Sequence, residues 1–186
     1  MSWGTLGTVR PFSNFHPERD ALELQSALEK KGSVDTVTLV RILTNRSNAQ
    51  RQLIAKTFEE VAQKSLEAAV KKTVSGDVGA LLLNLLMPPQ EHDAYRLQQA
   101  MAVSMLSAFR VWHSGVHLHM NTNTVSVCVQ GLGTDEETLT EILSLRSRKQ
   151  LDDINAAYRF LYKKDLEKEL RGETSGDFCK LLVALL

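Results

Sequence analysis

Displaced by 100 positions, the sequence matches itself without a gap, Thr38–Leu86 falling on Thr138–Leu186. Identities include Ile42/Ile142, Leu43/Leu143, Arg46/Arg146, Ser47/Ser147, Gln50/Gln150, Ile54/Ile154, Leu66/Leu166 and Ser75-Gly76-Asp77/Ser175-Gly176-Asp177. Agreement of that density means two copies of one unit, and repetition decides the architecture before any local reading does. The apolar spacing inside each copy is helical. Ala21, Leu24, Ala27 and Leu28 make one stripe ahead of the first copy, and Leu39, Ile42 and Leu43 make a second. Ser47 with Gln50, repeated as Ser147 with Gln150, has capping-box spacing. The helices opened there carry Leu53, Ile54, Phe58 and Val61, and Leu151, Ile154, Tyr158 and Leu161. Leu66, Ala69 and Val70 follow, then a Ser-Gly-Asp turn into Leu81, Leu82 and Leu85. No stretch alternates as a strand, so the expected class is all-α, with about five short helices per copy.

Charge and cysteine content narrow the function. Lys plus Arg and Asp plus Glu number 22 each. No global field therefore draws the chain toward nucleic acid, and no nucleic-acid partner is expected. Attraction to anions must be local or supplied by a bound cation. Cys128 and Cys179 cannot build a disulfide framework, and no CxxC pair marks structural zinc. Cys179 falls on the last apolar helix and is expected in the core. The opening Met-Ser-Trp-Gly-Thr lacks a basic segment followed by an apolar stretch, so no signal peptide is expected. The longest apolar run, Gly79–Met87, is too short to span a bilayer. The expectation is a soluble cytoplasmic chain. No nucleophile, base and orienting group recur together and no P-loop appears, so no enzyme is expected.

Gly131-Leu132-Gly133-Thr134-Asp135-Glu136, with Glu173-Thr174-Ser175-Gly176-Asp177 further on, resembles an annexin repeat. Arg146-Ser147, Gln150-Leu151 and the closing Leu181-Leu182-Val183-Ala184-Leu185 sit where that family has equivalents. Ile42 to Gln52 in the first copy resembles the family too, as does the lead-in from Gly7 through Asn14-Phe15 to Ala21. The resemblance spans roughly residues 7–102 and 131–186. It implies five-helix repeats in a superhelical arrangement, two here against the usual four, and hence a fragment or a shortened product. The implied boundaries are an N-terminal segment 1–19, a first repeat 20–88 and a second repeat 89–186 interrupted by 103–130.

The same resemblance implies calcium-dependent binding to acidic phospholipids such as phosphatidylserine, peripheral at the membrane when calcium rises. Calcium is a hard cation taking six to eight oxygen ligands, often with one bidentate carboxylate. In sites of this family a Gly-x-Gly loop supplies backbone carbonyls and a distant acidic side chain closes the shell. Carried over to this chain, the carbonyls are those of Gly131 and Gly133, with Val129 at the preceding position, and the carboxylate is Glu173. The first copy departs from the pattern. Its loop, Lys31-Gly32-Ser33-Val34-Asp35, has one glycine, and Thr73 stands where Glu173 would. No full site is expected there; an ordinary helix-start loop is favoured over a weak site using the Gly32 carbonyl and Asp35. In one member of the family an amphipathic N-terminal helix binds a dimeric S100-class partner. Met1–Val9 carries no such stripe, which argues against that partner.

Residues 103–130 match neither copy. Removing them joins Met101-Ala102 to Gly131, so that the Met101 carbonyl takes the ligand position Val129 now holds. Val103-Ser104 and Val129-Gln130 can be encoded by splice-donor and splice-acceptor sequences, which points to a retained intron. As the chain stands, the helix ending at Met101 no longer runs directly into the calcium loop. The segment's His113, His117 and His119 could together ligate zinc on a helix, but no carboxylate or cysteine completes a motif. Two further readings stay open: a calcium-independent helical protein-interaction module, and a non-functional truncated splice product.

Overall fold

The computed structural model describes residues 9–30, 33–113 and 134–186, with backbone alone over 103–113. The described residues hold ten α-helices and no strand, and they divide into two units, Met1–Pro88 and Pro89–Leu186. The first unit contains α1 (Pro17–Leu28), α2 (Thr36–Thr44), α3 (Asn48–Ala62), α4 (Leu66–Thr73) and α5 (Gly76–Leu86). The second contains α6 (Pro89–His113), α7 (Glu136–Leu145), α8 (Arg148–Tyr162), α9 (Leu166–Glu173) and α10 (Gly176–Leu185). The all-α expectation holds.

Local chemistry fixes the same boundaries twice. Ser47 Oγ accepts from the Gln50 amide at 3.4 Å while Gln50 Oε1 accepts from the Ser47 amide at 3.1 Å, closing the capping box on α3. Ser147 and Gln150 do the same for α8, at 3.4 and 2.9 Å. Each box satisfies two amides that a helix start leaves without partners. Both helices end on a residue in the left-handed region, Gln63 at φ 53° and Lys163 at φ 56°. The chain enters α5 and α10 through Gly76 at φ 69° and Gly176 at φ 63°, a conformation that a Cβ disfavours. That requirement accounts for the repeated Ser-Gly-Asp turn.

In each unit the first helix packs most extensively on the long third one, α1 on α3 and α6 on α8. Leu24, Ile42, Leu43, Ile54, Phe58, Leu66, Val70 and Leu82 are fully buried in the first core. Leu97, Leu139, Ile142, Ile154, Tyr158, Leu166, Leu170 and Leu182 fill the second. Burying each such side chain contributes about 1.5–3 kcal/mol before entropy is counted. Four residues expected in the stripes lie outside the cores: Leu53, Val61, Leu81 and Leu161 are 51, 45, 50 and 40% exposed. The buried face of α3 runs through Gln50, Arg51, Ile54 and Phe58, so Leu53 and Val61 fall on the adjacent flank. Cys179 is half-buried rather than a core residue.

A second register emerges from the first helices. Glu18, Asp20, Ala21, Leu24, Gln25 and Ala27 of α1 correspond to Glu91, Asp93, Ala94, Leu97, Gln98 and Ala100 of α6, a displacement of 73. The remaining helices are displaced by 100. The extra length falls between Met101 and Asp135. The expected end of the helix at Met101 is corrected by the structure, in which α6 continues to His113. Nothing in Val103-Ser104-Met105-Leu106 breaks a helix by proline or glycine.

Within the first unit Arg46 donates from Nε and one terminal nitrogen to the two oxygens of Asp20, at 2.6 and 3.0 Å. The side chains are only 8 and 6% exposed. Arg146 grips Asp93 in the same two-point way, at 2.6 and 3.1 Å, with Arg146 27% exposed. Removing one partner of a buried pair strands the other charge and costs about 3–5 kcal/mol. Asp20→Ala is therefore expected to lower stability by about that amount in urea denaturation, and Asp93→Ala by visibly less because water reaches Arg146. The double change Asp20→Ala with Arg46→Leu should recover most of the first loss.

Candidate metal centre

The acidic side chain singled out from sequence, Glu173, is the last residue of α9 and is half-buried. Asp165 caps the start of that helix, its Oδ1 accepting from the Lys168 amide at 3.1 Å. Buried Leu166 and Leu170 pin the helix to the core. At its far end Thr174 returns both its amide and its hydroxyl to the Leu170 carbonyl, at 2.9 and 2.6 Å. The last turn is thereby closed, and Glu173 stands at a fixed place on the rim of the unit.

Two contacts bring the end of the glycine loop to that place. Thr134, the residue after Gly133, donates from Oγ1 to the Glu173 backbone carbonyl at 2.7 Å. Asp135 donates its amide to the Ala100 carbonyl of α6 at 3.0 Å, and its Oδ1 accepts from the Thr138 amide at 3.0 Å, capping α7. The chain between Gly133 and Glu136 is thus tied to α6 on one side and to the end of α9 on the other. Gly131, Gly133 and Val129 themselves lie outside the described residues. So do His117 and His119, while His113 ends α6. Met101 is 2% exposed within α6.

The other acids near Glu173 are engaged. Arg171 donates to Glu167 at 2.7 Å and Lys164 to Glu169 at 2.6 Å. Glu173 has no ion-pair partner among the described residues. Tyr158, whose ring fills the core, is pushed up by burial and then by the Glu169 and Glu173 charges. It stays neutral and donates its hydroxyl to Gln98 Oε1.

Among the described residues no three or more His, Cys, Asp or Glu side chains cluster to hold a metal. Among the described residues side chains alone therefore make no centre, and these residues offer no thiolate or imidazole set for a soft or borderline metal. A glutamate with no ion-pair partner among the described residues, its backbone tied to the residue after Gly133, is the kind of group that suits a hard cation drawing most of its oxygens from backbone and water.

The first unit is built differently at the same place. Thr73 holds the position of Glu173, and its hydroxyl is spent on the Ala69 carbonyl at 2.7 Å. Val34 stands where Thr134 does and has no hydroxyl to donate. Asp35 serves as the α2 cap, accepting from the Thr38 amide at 3.1 Å, and receives Lys30 at 3.3 Å. Those two hydrogen bonds, the backbone one first, hold its carboxyl below the ordinary range. Gly32 lies outside the described residues.

Sequence reasoning singled out Glu173 through its resemblance to the family motif. It missed the Thr134 hydroxyl, whose only sequence signal is that Val34 replaces it in the copy that also lacks the acid.

Comparison with known proteins places these features in one family. The annexin family model matches residues 19–85 and 124–185. The solved structure of annexin III is 37% identical, with a TM-score of 0.73, covering 96% of this chain and 47% of that one. Chicken annexin V is 34% identical with a TM-score of 0.70, covering 96% and 48%. A point mutant of annexin A8 with an intact N-terminus is 33% identical with a TM-score of 0.70, covering 96% and 47%. The chain spans about half the length of these structures.

Replacing Thr134 by Val removes the one hydrogen bond that fastens the loop's end to α9 while keeping the side-chain volume. A loss of about 1 kcal/mol is expected in denaturant unfolding. Amide hydrogen exchange should rise over residues 134–136 and 173–175 and leave α2 and α4 unchanged.

Proposed function

Because the chain belongs to the annexin family, whose members generally bind phospholipid in a calcium-dependent way, we propose that it binds acidic phospholipid surfaces through one calcium site in its second unit. The observation that supports this reading is the hydrogen bond from Thr134 to the Glu173 backbone carbonyl, which ties the last residue of α9, a glutamate without an ion-pair partner among the described residues, to the residue that follows the Gly131-Leu132-Gly133 loop. The residues that would hold the ion are Glu173 through its carboxylate and Gly131, Gly133 and Val129 through their carbonyls. Calcium would supply a hard positive charge able to share oxygens of the protein and of a lipid phosphate. This accounts for anionic-surface binding by a chain whose formal net charge is zero.

The chain's own contribution is positioning. Asp165, Leu166 and Leu170 fix α9, Thr174 closes its last turn, and Thr134 and Asp135 hold the loop's exit against α9 and α6. No helix among the described residues is long and apolar enough to cross a membrane. The proposed association is peripheral, from the cytoplasmic side. The first unit, with Thr73 and a committed Asp35, carries no full site. The proposed organisation is an N-terminal segment 1–19 followed by repeats 20–88 and 89–186. Within the second repeat, 103–130 is an insertion that lowers calcium affinity, because ordering a longer loop costs entropy. Within the family the Ile42–Gln52 segment resembles annexin A2 in particular.

A calcium-independent interaction module is the second reading, favoured by Thr73 and by the long segment separating α6 from the loop. Sedimentation with phosphatidylserine vesicles separates the two. Binding is expected with calcium and not with chelator, and Glu173→Gln should weaken it at least ~10-fold, the loss of one charged ligand contact. A chain lacking 103–130 should bind more tightly than the full one. Binding unaffected by chelator or by Glu173→Gln contradicts the calcium reading.

A further inference from the structure

The first unit holds a polar cavity of about 220 Å³ that the calcium reading does not use. Its walls come from the segment before α1, the first turn of α1, Arg41 of α2 and Arg46. The segment is bound down firmly. The Phe12 amide donates to Gln50 Oε1 and Gln50 Nε2 donates back to the Phe12 carbonyl, both at 2.9 Å. The Arg46 guanidinium lies 4.0 Å from the Phe12 ring centroid. Asn14 and His16, whose Oδ1 and Nε2 are 3.1 Å apart, complete the rim.

The charges lining this cavity are unequal. Its two carboxylates are already taken, Asp20 by Arg46 and Glu23 by Arg41. Arg19, exposed at the mouth, has no ion pair among the described residues. Three guanidinium groups therefore face two neutralised acids, leaving one uncompensated positive charge. The cavity also meets the start of α1, where His16 makes no side-chain cap and Pro17 opens the helix. The amides of the first turn add donors there.

The second unit is an internal control. At the displacement of 73, Arg19 becomes His92, which burial, foremost, and then the Arg96 and Arg146 charges hold below the imidazole range against the pull of Asp93. The Arg41–Glu23 pair is exchanged for Glu141–Arg96, with the charges swapped between helices. The acid now stands where the first unit has a guanidinium.

We propose that the cavity between the 12–16 segment, α1 and α2 is a site for a phosphate group, free phosphate or a phosphomonoester, held by Arg19 and Arg41 over the Asp20–Arg46 pair. Planar forked donors of this kind match phosphate oxygens. The site is independent of calcium and of Glu173, so each can fail alone.

The test is calorimetric titration of the full chain with inorganic phosphate, in chelator and at constant ionic strength. One phosphate per chain is expected. Arg19→Gln should weaken binding by ~10-fold or more with an unchanged melting temperature in the absence of phosphate, since Arg19 is exposed and makes no ion pair among the described residues. Arg171→Gln, on α9, should bind as the parent does. A parallel sedimentation in chelator with vesicles of phosphatidic acid in phosphatidylcholine distinguishes the sources. Recruitment that Arg19→Gln abolishes assigns the site to a lipid phosphomonoester, whereas phosphate binding without recruitment assigns it to a soluble one. No phosphate heat above that of chloride, or equal affinity in Arg19→Gln, overturns the proposal.

Discussion

A guanidinium gripped at two points by a carboxylate of the first helix, deeply buried in the first unit and partly so in the second, dictates the layout of each unit. Arg46 and Arg146 leave the corner between the second and third helices and are satisfied only when the first helix brings Asp20 or Asp93 against them. A buried pair of this kind adds little net stability, because desolvation offsets most of the Coulomb gain. Its consequence is register: any other placement of α1 leaves a charge stranded in the core, and any other placement of α6 leaves Asp93, 9% exposed, without its partner. Phe12 extends the arrangement in the first unit by stacking on Arg46 while its backbone pairs with Gln50. One polar side chain thus links the capping box of α3, the start of α1 and the cavity beside it.

The second unit shows what that register is worth. Although 33 residues separate Met101 from Asp135, against six between Leu28 and Asp35, the two ends meet in the same way. Asp135 donates to the Ala100 carbonyl as Asp35 does to the Ala27 carbonyl, each at 3.0 Å. The helix-packing contacts fix both ends of the connection, so length is absorbed between them. Loop closure grows only logarithmically more costly with length, which makes such an insertion tolerable for the fold. A site that draws ligands from the connection itself is affected more than the fold is.

Much of this was legible in the residues, for identifiable reasons. Helices α2 to α5 and α7 to α10 follow from apolar spacing and from caps such as Ser47 and Ser147, which act locally. Leu53, Val61, Leu81 and Leu161 stay exposed despite their spacing, because periodicity marks an apolar face wider than the one each unit buries. The partners of Arg46 and Arg146 were hidden because a single displacement of 100 does not align α1 with α6; that match requires 73. Glu173 was singled out through its motif, and its place at the end of α9 follows from the structure. The Thr134 hydroxyl on the Glu173 carbonyl is a contact between distant segments and leaves no periodic trace.

The proposed calcium site rests on an asymmetry between the units: the second keeps Glu173 without an ion-pair partner among the described residues, whereas the first has spent Thr73 and Asp35 on its own helices. Calorimetric titration of the lipid-free chain with calcium tests it most directly. One site per chain, absent from Glu173→Gln and unchanged in Asp35→Asn, is the predicted result. Two equivalent sites, or a single site that survives Glu173→Gln, would contradict it.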